Sequence, residues 1–152
     1  MSNASRSAST QRFMDEMVGL MEPWGWSRTV ARTFAYLMVR ETPATLDEIA
    51  ADLGIAKSNA SMATRELVDY GNAVRIRQPG TKQLLFDAPS AQTGPFAMRS
   101  AMLCRMADLL GEQREGMGEA AVRRLSRQAD FLRAMGEAID GVIREKGDAA
   151  PE

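Results

Sequence analysis

Between Thr45 and Asp87 the spacing of apolar residues changes character twice, and the changes predict a helix, a tight turn, a second helix and a β-hairpin. Thr45-Leu46-Asp47-Glu48 opens the stretch as a capping box, in which the Thr hydroxyl and the Glu carboxylate each take an orphan amide donor of a new helix. Ile49 and Leu53 give that helix an inward face at i, i+4 spacing, and Gly54 can leave it at positive φ. After the turn Gly54-Ile55-Ala56, a second helix is predicted from Lys57 to about Tyr70, with Ala60, Ala63 and Leu67 inward and Gly71 ending the run. Next, Ala73-Val74-Arg75-Ile76-Arg77 alternates apolar with basic, Gln78-Pro79-Gly80-Thr81-Lys82 carries turn chemistry, and Gln83-Leu84-Leu85-Phe86 returns as a strand.

The flanks read as helices. Residues 1–10 are Ser-rich and poor in apolar side chains, which predicts a disordered N-terminus, and Ser2-Asn3-Ala4 has the look of an expression remnant. Residues 11–22 form an N-terminal helix with Phe13, Met14, Met17, Val18 and Met21 on one face, broken by Pro23-Trp24-Gly25-Trp26. Ser27 caps a further helix to about Arg40, with Val30, Phe34, Leu37 and Met38 inward, stopped by Thr42-Pro43. Residues 89–95 read as a linker, residues 96–147 as a helical region and residues 148–152 as a tail. In the helical region Met98, Met102, Met106 and Leu109 recur at helical spacing, followed by a seam of Val122, Leu125, Ala129, Leu132, Gly136, Ile139 and Ile143 spaced by threes and fours. Such a seam needs a cover. Folding back on its own chain is one answer, but a homodimer is favoured, with Val122, Leu125, Leu132, Ile139 and Ile143 as the dimer interface. The expected fold is mainly α with a small β-hairpin wing: a winged helix-turn-helix head over residues 23–88 plus a helical dimerisation arm.

The exposed face of the second helix, Lys57, Ser58, Asn59, Ser61, Met62 and Arg65, is short, polar and cationic. Side chains of that size let a helix seat in a major groove with Asn, Ser and Arg reaching base edges and phosphates. Arg75, Arg77 and Lys82 would anchor the wing on phosphates. Whole-chain charge does not advertise nucleic acid, since 19 basic residues face 20 acidic ones. The local balance does: from Ile55 to Leu85 five cations stand against Glu66 and Asp69, a net of +3 on the proposed contact surface. The implied partners are double-stranded DNA and a second copy of the chain; the alternative is a winged-helix protein-interaction module with no operator of its own.

At these residues the chain resembles the MarR-like winged-helix regulators, and in particular the GbsR-type branch. The resemblance covers roughly residues 23 to 88 and is carried by Trp26-Ser27-Arg28, Leu53-Gly54-Ile55-Ala56-Lys57, Asn59-Ala60-Ser61-Met62 and Arg65-Glu66-Leu67. It implies a homodimeric transcriptional regulator, most simply a ligand-responsive repressor. Two positions depart from the pattern: Ala56 replaces the usual Ser cap, a loss of about 1 kcal/mol in typical helices, and Thr81-Lys82 stands where the wing commonly carries Arg-Lys.

Enzyme chemistry is poorly supported, because the chain has no histidine, one cysteine and no Gly-rich phosphate loop after a strand. No metal or cofactor is implied. The single Cys104 excludes an intramolecular disulfide, lies mid-helix between Leu103 and Arg105, and reads as a packed thiol rather than a redox sensor. With no apolar run of spanning length and no secretory signal, a soluble cytoplasmic protein is expected. Trp24, Trp26 and Tyr36 cluster near the first break, along with Phe34. They read as hinge packing or as an aromatic cage. Since GbsR-type regulators are associated with choline and glycine betaine metabolism, the resemblance implies a quaternary amine as the effector such a cage would hold.

Overall fold

The computed structural model describes residues 3–91, 93–112 and 114–147 and divides the chain after Pro89 into two units. In the first, α1 (Asn3–Met21) leads through a short 3₁₀ turn (Glu22–Trp24) to α2 (Arg28–Val39), β1 (Ala44–Thr45), α3 (Leu46–Leu53), α4 (Lys57–Asp69), β2 (Val74–Arg77) and β3 (Leu84–Asp87). The second unit holds α5 (Thr93–Glu112) and α6 (Glu119–Lys146).

The helix starts and stops follow local chemistry. The Ser27 hydroxyl accepts from the Val30 amide at 3.2 Å and starts α2. Both halves of the capping box form at α3: the Glu48 amide donates to the Thr45 hydroxyl at 3.1 Å, and the Thr45 amide donates to the Glu48 carboxylate at 2.8 Å. At the other end Gly54 adopts φ 63°, its amide bonding to Ala51 O while Ile55 N donates to Ala50 O at 3.0 Å. That paired closure is a Schellman motif, and partly buried Ile55 packs against the core as its apolar lock.

The core of the first unit is built from Val30, Phe34 and Leu37 of α2, Ile49 and Leu53 of α3, Ala60, Ala63 and Leu67 of α4, and Phe86 of β3. Met14 and Val18 of α1 are also buried. The sheet has order β1-β3-β2, antiparallel throughout. Ala44 pairs with Phe86 and Thr45 with Leu85, so the capping-box threonine starts α3 directly from a sheet position.

Four expectations need correction. Residues 1–10 were expected to be disordered, yet α1 is helical from Asn3, with residues 1–2 outside the described range. No Gly or Pro interrupts the chain before Gly19, so the helix extends backward from its packed half without a new nucleation cost. Phe13 and Met38 are exposed rather than inward. The core-facing stripes run through Met14 and Val18 and through Phe34 and Leu37, and one residue further along a helix turns the side chain by about 100°. β1 adds a third strand to the expected pair; two residues are too few to leave an alternating pattern. Finally, α5 begins at Thr93 and takes in Gly94 and Pro95, within the stretch expected to be linker.

In the second unit α5 and α6 pack as an antiparallel pair. The Ser100 hydroxyl donates to Gly136 O at 3.0 Å, and Arg133 pairs with Asp108 at 2.9 Å. A Cβ on Gly136 would stand 2.7 Å from Cys104 Sγ and 3.3 Å from Ser100 O, so glycine permits this close approach. Ser100, Ala107, Ala129 and Gly136 are buried at the contact. The middle of the predicted seam therefore faces the chain's own α5. Val122, Leu125, Leu132, Ile139 and Ile143 are half-buried within one chain. What stays open is another set: Phe96, Met98, Met102, Met106 and Leu109 on α5, with Phe131, Met135 and Val142 on α6.

Candidate nucleic-acid interface

The face of α4 that the core leaves free carries the predicted readers. Ala60, Ala63, Thr64 and Leu67 are buried, which turns Lys57, Ser58, Asn59, Met62 and Arg65 outward; Ser61 is half-buried. Thr64, absent from the predicted stripe, is compatible with the interior because its hydroxyl donates to Ala60 O at 2.9 Å. Ala56 holds the extended N-cap geometry, φ −64° and ψ 146°, and gives α4 no side-chain cap.

The wing brings a second group of cations. In the β2–β3 register Arg75 lies opposite Phe86 and Arg77 opposite Leu84. Directly paired residues share a face, so both arginines project on the side of the sheet from which Phe86 enters the core. Both are exposed, as is Lys82 in the connection, where Gly80 takes φ 80° and the Thr81 hydroxyl accepts from the Gln83 amide. Among the described residues Arg65, Arg75, Arg77 and Lys82 have no ion pair. Lys57 differs: its Nζ is 2.8 Å from Asp47 Oδ1 in the first turn of α3.

Behind this surface a polar cluster joins α2 to α3. The Tyr36 hydroxyl donates to Asp52 Oδ2 at 2.6 Å and accepts from Arg40 Nη1 at 2.8 Å. Arg40 also reaches Asp52 at 3.5 Å, Glu48 at 3.6 Å and Thr42 O at 3.1 Å, and Arg32 donates to Leu53 O at 3.2 Å. Burial, aided by the hydrogen bond to Asp52, pushes the Tyr36 phenol up to about 12. The bonds from Thr45 hold the Glu48 carboxyl below its usual range. The sequence reading missed this cluster; Tyr36 and Arg40 at i, i+4 was its one visible trace.

These contacts engage Tyr36, one of the three residues of the expected aromatic cage. It is buried, its hydroxyl is committed, and the Arg40 guanidinium already lies 5.4 Å from its ring centre. Trp26 packs against Phe34 with ring centres 5.5 Å apart, while Trp24 is 78% exposed. Trp26 and Tyr36 thus have partners within the head, and Trp24 has an open face.

No family model matches the chain. Over 77 residues it is 25% identical to the HTH-type transcriptional repressor OpcR of Bacillus subtilis (strain 168), a match spanning 51% of this chain and 42% of that protein. The chain thus spans under half the length of the curated relative it matches. A solved structure described as a transcriptional regulator superposes with a TM-score of 0.80 at 22% identity, over 91% of this chain and 98% of its own. The transcriptional regulator SlyA reaches only 0.41 at 17% identity, over 93% of this chain and 99% of its own, too loose to carry an argument. The fold is that of the winged helix-turn-helix transcriptional regulators.

Proposed function

We propose that the chain is a sequence-specific DNA-binding transcriptional regulator, MarR-like and of the GbsR-type branch, acting as a homodimeric repressor. One observation carries the reading: the outward residues of α4 and the exposed cations of the β2–β3 wing together form a surface of small polar and unpaired basic side chains. Ser58, Asn59, Ser61, Met62 and Arg65 meet base edges in a major groove, and Arg75, Arg77 and Lys82 hold the flanking phosphates. The helix-turn-helix carries the first task and the wing the second. The branch assignment is supported by Asn59-Ala60-Ser61-Met62 followed by Arg65-Glu66-Leu67.

A second copy is the natural cover for the exposed Met98, Met102, Met106 and Leu109 face of α5. A two-fold pair of heads would engage half-sites about one helical turn apart. Ligand response is part of the proposal: at the Pro23–Trp26 break the open Trp24 face is the ring left to meet a cationic effector. An effector acts only by binding the DNA-incompetent arrangement more tightly than the competent one.

The test is selection of duplexes from a random-sequence pool by the purified protein. Enrichment of one sequence with two-fold symmetry, bound less tightly as salt rises, is expected. Recovery of the unenriched pool would leave a winged-helix module that engages other proteins.

A further inference from the structure

α3 is eight residues long; it buries Ile49 and Leu53 and packs Leu46 and Ala50 partly buried against the core. One apolar stripe resists being pulled from the core far better than it resists rocking about its own line, because apolar burial has no directional preference. Yet the setting of α3 governs α4. The two helices are joined by Gly54, Ile55 and Ala56 alone, and the Schellman closure at Gly54 fixes that turn. Something must hold the angle of α3.

Two arginines of the preceding segment reach it. Arg32 donates to Leu53 O, taking up a carbonyl that the helix terminus leaves open. Arg40, 22% exposed, turns its planar fork to Tyr36 Oη, Asp52, Glu48 and the Thr42 carbonyl. Tyr36 closes the ring with its 2.6 Å bond to Asp52. The Tyr36–Asp52 and Arg32–Leu53 bonds are directional and charge-assisted, the Arg40 ion pairs add to them, and together they constrain the rotation that the apolar stripe leaves free. We infer that Arg40 and Tyr36 are positioning residues for DNA reading, a clamp from α2 that sets α3, and through it α4, at the angle the groove requires. The inference rests on the DNA-binding reading. It gives Arg40 no contact with DNA.

Arg40→Met and Tyr36→Phe test it, each against the duplex selected by the wild-type protein and a scrambled duplex of equal length. If loosening the clamp leaves about one head in ten correctly set, affinity for the selected duplex falls about tenfold. Affinity for the scrambled duplex and the salt dependence of binding stay as in the wild type, because no phosphate contact is lost. Unaltered affinity for the selected duplex would overturn the inference. So would a log–log salt slope smaller by about one, since Arg40 would then itself be a phosphate contact. Amide hydrogen exchange in the free proteins gives an arm independent of DNA: faster exchange across α3 in both variants is expected, and exchange equal to wild type refutes the clamp. If the wild type selects no sequence, the DNA-binding reading fails while this arm still decides the clamp. Tyr36→Phe removes a single hydroxyl, so it remains informative if Arg40→Met does not fold.

Discussion

Lys57 stands at the first position of α4 with its ammonium 2.8 Å from Asp47, and both side chains are well exposed. An exposed pair of this kind is worth about 0–1 kcal/mol, so a DNA phosphate can compete with Asp47 for the same cation. On the proposed function, Asp47 would restrain binding. Asp47→Asn should raise affinity for any duplex by a few-fold, at most about fivefold for 1 kcal/mol, and the gain should vanish in a Lys57→Gln background. Equal gains in both backgrounds, measured by fluorescence anisotropy, would show that Asp47 acts by general repulsion and not through Lys57. Glu48 gives a pH signature. Its carboxyl is held below the usual 4.5 by the bonds from Thr45, so its contribution is present above that value and is lost as pH falls through the lowered one. The melting temperatures of wild type and Glu48→Gln should differ at neutral pH and converge in acid; a constant gap would mean that the charge at Glu48 is irrelevant to the cap.

At the scale of elements, the head was legible because its signals were local. The capping box, Gly54 and the Ala60, Ala63, Leu67 stripe each lie within a few residues and ended up where the pattern put them. Long-range events were not legible. β1 exists only because Ala44 and Thr45 meet Phe86 and Leu85 some forty residues on, and the Tyr36, Arg40, Asp52 cluster joins residues on different helices. The α6 seam was readable, but its partner was not, since periodicity shows that a face is apolar and not what covers it. Gly136 tests that packing: Gly136→Leu would drive a side chain into Cys104 and the Ser100 carbonyl and should unfold the helical pair or lower its melting temperature strongly. A variant melting like wild type would mean that the helices do not meet there. Ala56 offers the opposite case. Its backbone already has N-cap geometry, so Ala56→Ser should add about 1 kcal/mol to stability in denaturant titrations. A loss would show that the hydroxyl meets no free α4 amide.

For the whole molecule, a net charge of −1 conceals a basic face on the head and a wide apolar face on the α5–α6 unit. The two features predict different failures. Replacing exposed Met102 and Met106 with Lys should leave the chain folded yet place like charges across the proposed two-fold contact, shifting sedimentation from dimer to monomer. An unchanged dimer would put the contact on another surface. The division of labour in the head, readers on α4 and anchors on the wing, is tested most directly by the salt dependence of binding to the selected duplex for wild type, Arg65→Ala and the double variant Arg75→Ala/Arg77→Ala. Arg65→Ala should cost about 1–3 kcal/mol on the selected duplex and little on a scrambled one. The wing variant should weaken both duplexes and flatten the log–log salt slope by about two. Equal losses on both duplexes for Arg65→Ala, or a wing variant with the wild-type slope, would contradict this assignment of the surface.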